Sequence, residues 1–233
     1  MDAKFIGKIS LATIIFLLVW ILFGILFPGS DGQIETVEDL VNQRTADQLN
    51  QKFNFLFSFI LNFLLVALYV SLYLYFKNRA PEWCAIGFVF IPAFAVFAVA
   101  VFSLSAFLVP YLLELYKNPE YQSLISGILK TMLHGEVNPA REFLSIPFIF
   151  LSIPTMIFGI LLLKERIILK FAGILIIVSG IEYLSNLIAI FERNVILNTI
   201  GMIGGLSFMV SLILLSIGFL RGTPEKKTPP PVS

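Results

Sequence analysis

The chain has 233 residues, 58% of them hydrophobic and 13% charged, with a mean hydropathy of +0.92. A soluble domain carries roughly 25% charged residues, so the class is membrane protein, and a net charge of +1 leaves no basic field to hold a nucleic acid. A single cysteine, Cys84, excludes an intrachain disulfide, and a single histidine, His134, excludes a His-based metal cluster within the chain.

Apolar runs of about 20 residues cross the hydrocarbon core as helices. The first is Ile9–Phe27, preceded by Lys4 and Lys8. It is too long for the core of a signal peptide, and "FPGSDG" offers no small-x-small cleavage site, so it is expected to be a retained span. The acidic segment from Pro28 to Lys52 follows. In it Ile34, Val37, Leu40 and Val41 repeat at helical spacing and predict a short amphipathic helix. "TADQ", Thr45 to Gln48, has the spacing of a capping box and is expected to start the next helix early. The second span is Phe53–Phe76 and the third Trp83–Val109.

Between Leu112 and Glu142, Asn118 and Pro119 read as N-cap and first helical residue. Tyr121, Leu124, Ile125, Ile128, Leu129, Met132 and Leu133 then form one apolar stripe, and Gly135 a stop. Such a helix, from Asn118 to Gly135, is expected to lie on the membrane surface or cap the bundle. His134, at its end, is read as a helix cap rather than a ligand. Asn138–Pro139 opens the fourth span, Phe143–Leu163, by the same device; the fifth is Phe171–Phe191 and the sixth Leu197–Leu220. Residues 1–220 are thus one six-helix domain, and the proline-rich tail 221–233 is expected to be disordered. Pro92, Pro147 and Pro154 are expected to kink their helices.

Orientation follows from the Lys/Arg distribution. With the N-terminus inside, ten such residues are inner (Lys4, Lys8, Lys77, Arg79, Lys164, Arg166, Lys170, Arg221, Lys226, Lys227) and six outer (Arg44, Lys52, Lys117, Lys130, Arg141, Arg193). Both termini are therefore expected in the cytoplasm, in a multi-pass protein of the cytoplasmic membrane.

An ionisable group at mid-bilayer costs at least about 2.5–3.5 kcal/mol and is expected to face other helices. Glu182 is such a group, and Ser179, Glu182 and Asn186 share one helix face. Glu182 lies nine residues before Phe191 and Asn62 nine after Phe53; at 1.5 Å per residue both are about 13–14 Å below the outer boundary. Ser152 and Ser207 fall at nearly the same depth. One polar layer is expected: Glu182 at its centre, Asn62 as hydrogen-bond partner, and Asn186, Ser179, Ser152 and Ser207 around them. With Arg193 about 16 Å away, the carboxyl is expected to be protonated. Gly201 and Gly205, four apart, predict a close-approach face that a homo- or hetero-oligomer would use.

No zinc-protease helix, P-loop, dinucleotide fingerprint or nucleophile elbow is present. One intramembrane carboxylate cannot form an aspartyl dyad. A non-enzymatic protein without cofactor or metal is expected: an interaction or sensing module, or alternatively a proton or small-solute carrier using Glu182. No internal repeat joins the first and last three spans, which weakens an inverted-repeat transporter.

Three stretches carry a family likeness: "ILFGILFPGSDG", "FLLVALYVSLYLYFKNRAPEWCAIGFVF" and "MIFGILLLKERIILKFAGILIIVSGIEYLSNLIAIF". In the last, Gly180, Tyr183, Leu184 and Asn186 match a G-x-x-Y-L-x-acid/amide pattern. In the order of its spans the chain resembles the bacterial six-span family catalogued as domain of unknown function 4386. The resemblance implies a fold and a topology, and no activity. Members of that family often carry Asp at the position of Asn186; here the acid stands one turn earlier, at Glu182.

Overall fold

The computed structural model describes residues 3–27, 36–46, 48–103, 107–133, 139–189 and 195–221. No strand occurs among them. The helices are α1 (Ala3–Leu26), α2 (Val37–Ala46), α3 (Gln48–Phe76), α4 (Pro81–Ser103), α5 (Val109–Tyr116), α6 (Gln122–Leu133), α7 (Pro139–Leu162), α8 (Ile167–Ala189) and α9 (Val195–Leu220). Their length has a physical cause: in lipid no water satisfies backbone N–H and C=O groups, so each spanning segment must close its own hydrogen bonds. Among the described residues, five helices are long and apolar enough to cross a membrane: α1, Lys52–Phe76 of α3, α4, Ile167–Ser185 of α8 and Met202–Leu220 of α9. The apolar stretch described in α7, Ile146–Leu162, is shorter.

The six long helices form a ring in chain order. α1 packs on α3, α3 on α4, α4 on α7, α7 on α8, α8 on α9, and α9 closes back on α1. α3 also touches α7 across the ring. Aromatic pairs mark the seams. Phe23 meets Phe53 between α1 and α3, with centroids 5.2 Å apart, and Phe97 stacks on Phe150 between α4 and α7 at 4.9 Å. Phe148, Tyr183 and Phe208 link α7, α8 and α9. Large apolar side chains stand outward, such as Phe63, Val89, Val96 and Met202. A soluble surface does not sustain so much exposed apolar area; on a multi-pass membrane protein these are the groups that meet lipid.

α2, α5 and α6 build a second, smaller core. Val37, Leu40 and Val41 of α2 are buried with Leu112 and Leu113 of α5 and Ile125 and Leu129 of α6. Thr36 and Asp39 cap α2 reciprocally: the Asp39 N–H donates to Thr36 Oγ1 (3.1 Å), and the Thr36 N–H donates to Asp39 Oδ2 (3.0 Å). The helix of the second expected span does start early, at Gln48, as the Thr45–Gln48 segment predicts; Thr45 itself falls within α2, which runs through Ala46, and the side chains of Thr45 and Gln48 lie outside the described ones. Asn118 makes the bonds of an N-cap, its Oδ1 accepting from the Glu120 N–H (3.1 Å) and its carbonyl from the Gln122 N–H (3.1 Å). His134, Gly135 and Asn138 lie outside the described residues, as do Ile34 and Arg193.

In the third expected span α4 is described through Ser103 and α5 from Val109, with Pro110 in its first turn. Phe107 and Leu108 lead into α5 in a helical conformation, and residues 104–106 lie outside the described residues. α1 starts at Ala3, earlier than Ile9, taking Lys4 and Lys8 into its first turns. α4 and α7 run through Pro92, and through Pro147 and Pro154, without a break in the helix.

At the end of the bundle holding the α3–α4 and α7–α8 turns, the Arg79 guanidinium is bound to the Glu165 carboxylate. It also sits 4.8 Å from the Tyr75 ring centroid. Arg79 is 57% exposed, so water screens the pair. Glu165→Gln is expected to cost at most about 1 kcal/mol, seen as a small fall in melting temperature in detergent that shrinks further in high salt.

Candidate functional site

Hydroxyls inside the bundle mostly bond back to their own helix. Ser10 donates to the Ile6 carbonyl (2.9 Å), Ser71 to Ala67 (2.6 Å) and Ser211 to Phe208 (2.6 Å). This satisfies a buried hydroxyl without a partner helix. Two sites among the described residues depart from that habit, and both join helices.

The first is the α8–α9 seam. Ser179, fully buried, donates to the Leu175 carbonyl of its own helix (2.9 Å) and reaches the Gly204 carbonyl of α9 (3.0 Å). One turn along α8, the Glu182 side chain occupies the space that a Cβ on Gly204 would need; Glu182 Cβ and Cγ crowd that point and Oε2 stands 3.0 Å from it. The glycine thus opens a notch in α9, and the glutamate methylenes fill it. Glu182 is half-buried and Ser207 of α9 likewise. Ser185 donates to the Glu182 carbonyl (2.7 Å), which leaves the carboxyl itself uninvolved in that bond.

Ser152 of α7 is buried at the neighbouring seam. Its hydroxyl donates to the Ile149 carbonyl (2.6 Å), and its own carbonyl lies 3.3 Å from where a Cβ on Gly180 would stand. The structure therefore brings Ser152, Ser179, Glu182 and Gly204 to adjacent levels of α7, α8 and α9. Asn62 lies on α3, where its amide donates to the Ser58 carbonyl of its own helix (2.8 Å). The side chain of Asn186 lies outside the described ones.

Nearer the start of α3, Asn50 and Asn54 have partners in and just after α1. Asn54 accepts from the Trp20 indole of α1 (2.9 Å) and donates to Asn50 (3.1 Å), and Asn50 donates to the Phe27 carbonyl (3.1 Å). These amides fasten α1 to α3.

The second cross-helix site was not expected. Tyr69 of α3 is 1% exposed, and its hydroxyl lies 2.6 Å from Thr155 Oγ1 of α7. Thr155 in turn reaches the Leu151 carbonyl (2.6 Å). A threonine has one proton, and a carbonyl only accepts, so Thr155 donates to Leu151 and Tyr69 donates to Thr155. A signal was present in the chain: each residue stands seven before the end of its helix, Phe76 and Leu162. That places both about 10 Å from the same boundary, and a buried tyrosine hydroxyl needs a partner.

The close approach that α9 makes within the chain is through Gly204, and also Gly218 against Leu169, whereas Gly205 is exposed with open space where its Cβ would be. The side of Gly201 lies outside the described ones. An open cavity of about 730 Å³ is lined by Ala100, Ser103, Phe107, Leu108 and Tyr111, on α4 and the approach to α5, neither of which borders α8. No three His, Cys, Asp or Glu residues among the described ones are grouped to hold a metal ion.

No curated protein and no solved structure shows a significant match to the chain. The family described as "Domain of unknown function (DUF4386)" matches residues 11–216. That range takes in all or most of every helix in the ring, together with the seam around Glu182 and the Tyr69–Thr155 bridge, and the chain belongs to this family.

Proposed function

We propose that the protein is a six-span component of the cytoplasmic membrane, with both termini in the cytoplasm, acting as a non-enzymatic interaction or sensing module. α7 supplies the sixth span; it is 24 residues long and holds its place in the ring between α4 and α8. The observation that carries the reading is the Glu182–Gly204 contact. The methylenes of the acid fill a notch in the adjacent helix, which is what a packing element does. The α2–α5–α6 core would then cap the outer end. On it Tyr121, just before α6, and Leu124 and Ile128 of α6 are exposed, an apolar strip suited to the membrane surface or a partner.

Half-burial of Glu182 favours the second reading, a proton or small-solute carrier, over complete sealing. Glu182→Gln separates the two. A neutral glutamate and a glutamine fill the same notch and hydrogen-bond similarly, so a structural role predicts a melting temperature close to that of the parent. Glu182→Ala empties the notch and is expected to lose about 0.6–2 kcal/mol. A carrier predicts instead that Glu182→Gln, though folded, abolishes pH-gradient dissipation in proteoliposomes reporting through an entrapped pH dye. Dissipation by the parent and none by the glutamine variant would reject the module reading.

A further inference from the structure

We propose that the rim formed by the start of α1, the end of α9 and the start of α8 binds the headgroup of an anionic phospholipid. Two close helix contacts assemble this rim. A Cβ on Gly7 of α1 would stand 2.8 Å from Leu220 Cγ of α9, and one on Gly218 of α9 would run into the Leu169 side chain of α8. The residues next in sequence are Lys8, Arg221 and Lys170, and all three are exposed. Three helices consecutive in the ring therefore each present a cation at one end of the bundle.

At this end the carboxylates among the described residues are Glu82 and Glu165. Glu165 is bound to Arg79, which joins the α7–α8 turn to the α3–α4 turn. Glu82 lies on α4, which borders neither α1, α8 nor α9. From each cation the helix continues into an exposed apolar face: Leu11 and Ile15 on α1, Phe171 and Ile174 on α8, Ile213 on α9. Cations above a lipid-facing apolar strip match a phosphate headgroup with its acyl chains. An acidic peptide or a nucleic acid would leave the strip unmatched. Basic residues at this depth attract anionic lipid, while their long stems lie along apolar surface.

The test uses the full chain in a neutral detergent and follows its melting temperature with three probes: dioleoyl phosphatidylglycerol, dioleoyl phosphatidylcholine and inorganic phosphate. Phosphatidylglycerol is expected to raise the midpoint by several degrees, falling as salt rises, with little change from the other two. Each such cation contributes about fivefold to binding, so K8Q/K170Q/R221Q is expected to weaken the phosphatidylglycerol titration on the order of a hundredfold. The outer pair K52Q/K117Q is expected to leave it unchanged. If the triple variant does not fold, K170Q and R221Q singly must each weaken the titration about fivefold. Equal shifts from the two lipids, a shift reproduced by phosphate alone, or full retention in the folded variants would overturn the proposal.

Discussion

Gly173→Leu is expected to prevent stable assembly of the bundle, and Gly173→Ala to lower its stability by about 1–3 kcal/mol. At this position α7 and α8 approach backbone to backbone. A Cβ on Gly173 would lie 2.6 Å from the Gly159 carbonyl oxygen and 2.9 Å from Leu162 Cβ. Its counterpart on Gly159 would lie 3.0 Å from the Gly173 carbonyl oxygen. A carbonyl oxygen in a helix cannot rotate aside as a long side chain can, so the helices themselves must separate. That separation would loosen the seam lined by Ser152 and Gly180 two turns away. Small residues matter more here than in water, because lipid tails are as apolar as leucine and helix association rests on close packing. Gly24, Gly127 and Gly205 have open space where a Cβ would go. Alanine there should leave the melting temperature in detergent unchanged, and unchanged melting for Gly173→Ala would show that the contact carries no packing energy. Gly205→Leu adds a second reading: if the Gly205 face joins copies of the chain, the variant should elute as a smaller species while keeping its melting profile.

The same glycines show what was legible in the chain and what was not. Composition and 20-residue apolar runs mark the long helices, since a lipid solvent permits few alternatives. The Lys/Arg asymmetry suggests an orientation. The ring order, however, depends on which face each helix buries, and helices apolar on all sides do not announce a face. Gly201 and Gly205 have the spacing of a packing motif, yet Gly204, between them, makes the close approach to α8. The depth comparison put Ser152, Asn62 and Glu182 at one level, because depth is a property of one helix at a time. Which of these side chains meet depends on which helices border one another, a property of the assembly that depth alone does not supply. Applied to Tyr69 and Thr155, the same arithmetic would have found a pair that the polar-layer reading passed over, since that reading was anchored at the depth of Glu182 and these two lie nearer the other boundary.

The Tyr69–Thr155 bridge is expected to respond asymmetrically to removing its two ends. Tyr69→Phe deletes the donor, while Thr155 keeps its bond to the Leu151 carbonyl, so nothing buried is left unpaired. The expected cost is about 0.5–1.5 kcal/mol. Thr155→Val deletes the acceptor and strands the Tyr69 hydroxyl at a site 1% exposed, with an expected cost of about 1–3 kcal/mol. The double variant removes both groups at nearly constant volume and should melt above Thr155→Val alone, although it carries one more substitution. Tyr69→Ala marks the scale. The ring packs on Phe158 with centroids 6.1 Å apart and belongs to the central cluster of the bundle. Its loss leaves a cavity expected to cost about 3–5 kcal/mol, the largest effect of the set, and to weaken the α3–α7 contact that crosses the ring. Melting temperatures of the four variants in one detergent form a double-mutant cycle with an internal ruler. If Tyr69→Phe proved costlier than Thr155→Val, the proton assignment along Tyr69, Thr155 and Leu151 would be wrong. Such a result would mean that threonine donates to tyrosine and that the Leu151 carbonyl is served another way.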